Sequence, residues 1–263
     1  MDRARSSRRD RNTVPNVRAV RILISLLAAA ICLCALIPDG RHDAHAQRRG
    51  TVRDTSLYRV SADHLRYTTI EGEHVVLLDG NVRIDHQTAT ITSELGFHYQ
   101  DKNYTELKDD VHALDGSMEM FSDIGEYFGT GMILVARGNV RVLDRGWEIL
   151  CDYARYDRVH RTALLTGNLS LRDSTRVMYA DSILYNRDSE TAEAQGNVVL
   201  IDEVDDYSIA GKHARYDRSF GEAVVDIDPI LTFDLSSEEP GTIVAEWMKF
   251  DIVDKIGIAV DDV

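Results

Sequence analysis

The sequence predicts an all-β protein built from repeats, and three observations carry that prediction: a 29-residue period, alternation of apolar and polar residues within it, and turn-forming residues at its joints. Gly-Asn pairs open four similar segments, DGNVRID from Asp79, RGNVRVLD from Arg137, TGNLSLRD from Thr166 and QGNVVLID from Gln195. Their asparagines, Asn81, Asn139, Asn168 and Asn197, are spaced 58, 29 and 29 apart, and the missing member falls halfway across the first gap at Asp110, in DDVHALD. With 17 Gly and 8 Asn among 263 residues, chance placement supplies only about half a Gly-Asn pair, so four in phase are a repeat.

A second motif keeps the same period. It reads ADHLRY from Ala62, SELGFH from Ser93, SDIGEY from Ser122, CDYARY from Cys151, ADSILY from Ala180, GKHARY from Gly211 and AEWMKF from Ala245, with Glu94, Asp123, Asp152 and Asp181 again 29 apart. Each copy therefore reads as two strands. After each Gly-Asn the residues alternate, with Val82 and Ile84 flanking Arg83 and Val140 and Val142 flanking Arg141, which gives one buried and one wet face. Val199 and Ile201 are apolar as well, which suggests cover on both faces there. Glycine at the head of such a strand suits a bulge, and asparagine tolerates the left-handed conformation. Arg187-Asp188-Ser189 and Arg218 to Gly221 supply turns between copies. Helical spacing is nearly absent, so about a dozen short strands stacked as a solenoid or a folded-over sheet are expected.

Residues 1–46 read as an export segment. Seven arginines between Arg3 and Arg21 form a basic start, Ile22 to Ile37 is a 16-residue apolar run, and Ala44-His45-Ala46 is a small-residue cleavage site. The apolar run is shorter than the roughly 20 residues of a spanning helix. Cleavage after Ala46 and retention as an anchor helix both remain open, and either places the rest in the periplasm. The domain plan is then a signal or anchor at 1–46, a linker at 47–60 and a β-repeat domain at 61–263.

Composition excludes several classes. Setting aside the 8 basic and 4 acidic residues of positions 1–46 from the chain's 30 and 44 leaves 22 and 40, a net charge of −18. Phosphate binding needs a basic surface, so nucleic acid is not an expected partner. Cys32 and Cys34 fall in the export segment without a lipobox, leaving Cys151 alone, with neither a disulfide framework nor a metal cluster. The nine histidines, His42 and His45 among them, show no metal-ligand spacing. No metal and no cofactor are expected. The acidic residue of the second motif recurs on nearly every copy, interrupted by Lys212, whereas an active site needs one special constellation in one cleft, so no catalytic residue and no enzyme are expected. The tyrosines Tyr67, Tyr127, Tyr156, Tyr185 and Tyr216 recur in the same way, and packing between rungs is favoured over sugar stacking.

The unit A-D-x-L-x-Y, a turn, then A-x-x-x-G-N-V-x-L-x-D resembles the repeat of the OstA-like/LptA-like family of periplasmic lipopolysaccharide-transport proteins, over about Ser61 to Val263. The resemblance implies a V-shaped β-jellyroll of antiparallel strands with an apolar interior, joined end to end with itself or with other β-jellyroll proteins of that transport system. It implies lipopolysaccharide as ligand, its lipid A acyl chains shielded in transit to the outer membrane. The expected groove wall is Val82, Ile84, Val140, Val142, Leu169, Leu171, Val198 and Leu200; the same residues also suit a sealed core. Two departures stand out: Asp109-Asp110 replaces Gly-Asn in the second copy, and no long array of amphipathic strands follows. A retained signal would fit an inner-membrane role in the same system. The competing readings are a structural or adhesive β-solenoid of the envelope with a sealed core, and a parallel β-helix enzyme acting on polysaccharide.

Overall fold

The computed structural model describes residues 18–20, 59–86, 89–144, 146–186, 188–251 and 256–261. They form one antiparallel sheet. Its strands are β1 (Arg18–Val20), β2 (Arg59–Ser61), β3 (His64–Ile70), β4 (Glu73–His86), β5 (Ala89–Tyr99), β6 (Tyr104–Asp115), β7 (Met118–Phe128), β8 (Ile133–Asp144), β9 (Trp147–Asp157), β10 (Thr162–Arg172), β11 (Arg176–Asn186), β12 (Thr191–Asp202), β13 (Tyr207–Asp217), β14 (Glu222–Asp226), β15 (Ile230–Phe233), β16 (Gly241–Val244), β17 (Trp247–Asp251) and β18 (Ile256–Val260). The strand count exceeds the dozen expected, and β2 begins inside the stretch read as a linker. Of the export segment only Arg18–Val20 is described, as a strand paired with β18 through Arg18↔Ala259; the apolar run and the cleavage site lie outside the described residues. Among those residues no helix is long and apolar enough to cross a membrane.

From β4 to β13 the chain is a meander in which each strand pairs with the next. Every one of these strands is interrupted at the same level. The register shifts between Asp79 and Val82, Lys108 and Val111, Arg137 and Val140, Thr166 and Leu169, and Gln195 and Val198. These are the Gly-Asn sites, and both residues of each pair have positive φ, as Gly196 at 70° and Asn197 at 45° illustrate. Asp109 and Asp110, at 62° and 52°, do the same work in the second copy, so the degenerate member is conformationally faithful. An extra residue with positive φ bends a strand and increases its twist. Repeated at one level in five alternate strands, the bends form a spine along which the sheet folds over.

The spine divides the sheet into two leaves. Leaf I holds the halves after Gly-Asn and their partners, such as Val82–His86 on Ala89–Ser93; leaf II holds the other halves. Both ends of the sheet split along this line. At the start β2 and β3 each cover one half of β4. At the finish β14 covers the leaf II half of β13 and β15 covers the leaf I half, continued by β17 and β18 and by β16. The last copy breaks into two strands because Ile227 and Asp228 both adopt positive φ and Pro229, lacking an N–H, cannot extend the ladder.

A side-chain clamp crosses each Gly-Asn bend. Asn81, Asn139 and Asn168 donate Nδ2–H to Asp63, Asp123 and Asp152 at 2.7, 2.8 and 2.7 Å, and Asn197 donates to both oxygens of Asp181 at 3.0 Å. The recurring carboxylate is thus a structural partner of the recurring asparagine. Lys212, read in the sequence as an interruption, carries the clamp in reverse: its ammonium donates to Asp228. The pair is exposed, so its contribution is at most about 1 kcal/mol. Lys212→Asp, which sets two carboxylates against each other, should cost about 1 kcal/mol. Adding Asp228→Asn recreates the clamp of the other copies and should restore the midpoint of urea unfolding.

Candidate functional site

The eight expected wall residues fall on one face of one leaf. Near the spine, each apolar residue after Gly-Asn faces the small first residue of the second motif: Val82 faces Ser93, Val140 faces Cys151, Leu169 faces Ala180 and Val198 faces Gly211. Small residues fit there because the bend brings the strands' inner sides together. One step outward the register joins Ile84, Ile91, Ala113, Met120, Val142, Ile149, Leu171, Met178, Leu200, Ile209, Leu231 and Ile243 into one row. At about 4.8 Å per strand this apolar track is about 50 Å long. Period-two alternation made the wall residues of β4, β8, β10 and β12 legible. Their equivalents on the intervening strands, Met178 and Ile149 among them, lie in segments with no Gly-Asn to fix the phase.

The facing wall comes from leaf II, where the second motif places its final aromatic residue. Tyr156, Tyr185, Tyr216 and Phe250 alternate in register with Ala163, Ala192, Ala223 and Gly257, so each ring lies beside a small residue. Tyr127, Tyr185, Tyr216 and Phe250 are buried, in keeping with the packing role expected of the tyrosines; Tyr67, on the edge strand β3, is 76% exposed.

Seven of the eight wall residues are buried and join one continuous core with the leaf II side chains, while Val142 is half-buried. The interior is closed along most of its length. Between the two ends of the sheet it comes nearest to solvent at β8 and β9, where Val142 of leaf I and Leu134, Ala154 and Tyr156 of leaf II are all half-buried. It is also uncovered at the β3 end: Leu65 and Tyr67 pair with the interior residues Leu78 and Val76 but stand exposed. On the outer face Val199 and Ile201 are half-buried, so cover there is partial. A hollow of about 430 Å³ between Leu184, Glu193, Arg215 and Val224 has charged walls and lies off the apolar track.

Polar groups enter the interior mainly in the first copies. Thr105 is fully buried and lies 2.9 Å from His98 Nδ1. Burial holds the His98 imidazole below its ordinary range, so the folded state favours the neutral ring. Desolvation likewise pushes the Cys151 thiol up to about 11, leaving it protonated and unreactive at neutral pH. Among the described residues no group of three or more His, Cys, Asp and Glu is placed to hold a metal ion.

A repeat-built, folded-over antiparallel sheet with an apolar interior is the class of protein these features define. Residues 54–165 match the family model described as OstA-like protein. The match falls on the first copies of the repeat, and the matched segment contains the first spine clamps and the half-buried stretch at β8 and β9. Among solved structures the chain is similar to LptH, the LptA homologous periplasmic component of the conserved lipopolysaccharide transport device from Pseudomonas aeruginosa. Identity is 17%, over 42% of this chain and 82% of that one, with a TM-score of 0.37. At that score the fold described here rests on its own strand register. No curated protein matches the chain.

Proposed function

We propose that the chain is a lipopolysaccharide-binding bridge component of the envelope that shields acyl chains on their way to the outer membrane, in the periplasm and without catalysing a reaction. The observation that carries this reading is the apolar track, about 50 Å long and continuous from β4 to β16. A compact β-sandwich needs no such row running across twelve strands, with apolar residues of the facing leaf left uncovered at one end. Each methylene buried against it contributes about 0.8 kcal/mol, so lipid and the facing leaf compete for the same surface. Val82, Ile84, Val140, Val142, Leu169, Leu171, Val198 and Leu200 then serve as core when empty and as wall when loaded. The family of the matched segment supports this reading.

Edge strands suit end-to-end assembly. β3 is exposed on both faces and, among the described residues, pairs only with β4, an invitation to a further strand. At the other end β1 covers the outer edge of β18 at Ala259, and removal of residues 1–46 would bare it. A second copy or another β-jellyroll protein is the proposed partner, with 61–263 as the working domain. The closed interior favours one rival, an envelope solenoid with a sealed core. Depleting the protein in its native cell separates them. The bridge reading expects newly made lipopolysaccharide to accumulate in the inner membrane; the sealed solenoid expects export at the normal rate.

A further inference from the structure

The open side of the folded sheet carries a polar cluster. His86 is the last residue of β4, on leaf I; Tyr127 lies one residue from the end of β7, on leaf II; both are buried. Tyr127 Oη lies 2.9 Å from His86 Nδ1, and the rings meet edge to face with centroids 6.0 Å apart. Arg158, in the turn after β9, brings Nη1 to 3.4 Å from the same nitrogen. β4 and β7 are three strands apart, which is about 14 Å within a sheet, and β9 is farther still. Neither contact is made along the sheet, so both cross the gap between the leaves, at the rim away from the spine.

The cluster adjoins the stretch where the interior comes nearest to solvent. Tyr127 pairs in register with Leu134, one of the half-buried residues of β8, and Val142, Ala154 and Tyr156 follow on β8 and β9. Parting the leaves there exposes less apolar surface than parting them at Leu171 or Leu200, and the polar groups regain water in exchange for their mutual bonds. A hydrogen bond of this kind contributes only about 1 kcal/mol net. Local opening takes place where such contacts are cheapest to lose.

We propose that His86, Tyr127 and Arg158 form a latch across the open side of the folded sheet, and that its release parts the leaves at β8 and β9 and admits an acyl chain sideways rather than by threading from the end. The latch deepens the carrier reading and rests on it, but its opening is measurable without lipid. Cys151, buried on the inner face of β9 opposite Val140 beside the spine, reports a parting of the leaves that reaches the full depth of the fold.

In the full chain carrying Cys32→Ser and Cys34→Ser, Cys151 is the sole thiol. Tyr127→Phe removes the latch hydrogen bond without leaving a cavity, and should raise the native labelling rate of Cys151 by N-ethylmaleimide about fivefold. Tyr67→Phe, at the exposed end, should leave it unchanged. An unchanged rate in Tyr127→Phe, or one fully accounted for by a measured loss of global stability, overturns the latch. In a second chain with Cys151→Ser, His86→Cys and Tyr127→Cys are bridged by a short bismaleimide, and uptake of cis-parinaric acid is followed by fluorescence. Bridging should slow uptake about tenfold. Uptake at the unbridged rate overturns sideways loading and leaves the carrier reading standing. No uptake with or without the bridge overturns the carrier reading, and the Cys151 rates then decide the latch alone.

Discussion

Gly196→Ala should lower the unfolding free energy by about 3 kcal/mol, from two separable causes. The first is backbone strain, because φ is 70° at this position and an L side chain there costs on the order of 1–3 kcal/mol. The second is space: a Cβ would lie 2.1 Å from Asp181 Oδ2 and 2.9 Å from Asp181 Cβ. The base of the aspartate must therefore move, and with it the carboxylate that Asn197 holds. Urea unfolding of the single variants and of the double variant with Asp181→Ala resolves the two. Removing the carboxylate should relieve most of the clash, leaving the Cβ–Cβ contact and the strain, so the double variant is more stable than the sum of the singles requires. Gly72 is the control: its φ is 86° and nothing lies within 4 Å of its Cβ position, so alanine there should cost the strain alone.

Leu171→Ala should cost about 3 kcal/mol in the lipid-free protein, the usual range for a leucine removed from a closed core. Leu171 is 1% exposed and lies in the middle of the apolar track between Ile149 and Met178. The control is Leu65→Ala, at the uncovered β3 end, which should change stability by less than about 0.5 kcal/mol. The carrier account adds a second expectation. An acyl chain binding against the track fills the space left by Leu171, so lipopolysaccharide should raise the thermal midpoint of the variant more than that of the parent protein. A rise in neither would mean that the interior does not exchange its facing leaf for lipid.

Much of this architecture is legible in the sequence because the repeat samples each position several times. The Gly-Asn pairs give the bends, and a shared period places Asp110 among them although its chemistry differs. The alternation that follows each pair gives the buried face of leaf I. Other features are illegible for physical reasons. That the recurring aspartate holds the recurring asparagine needs the strand register at the bulge, since the partners are 16 or 18 residues apart; without it Lys212 reads as an exception when it is the same clamp reversed. The tyrosines could pack on either face until the leaves were folded together. His86, Tyr127 and Arg158 belong to three copies, and only the fold-over of a twisted sheet brings them within reach of one another.

The central claim, that the face bearing the Gly-Asn wall is a lipid path, is tested most directly by placing photo-crosslinking residues at Val142, on the half-buried stretch, and at Leu171, in the closed interior, and irradiating cells during active export. The account predicts lipopolysaccharide adducts at both positions and none at the outward-facing Arg141. Absence of adducts at Val142 and Leu171 while export proceeds would contradict it and leave a sealed structural core.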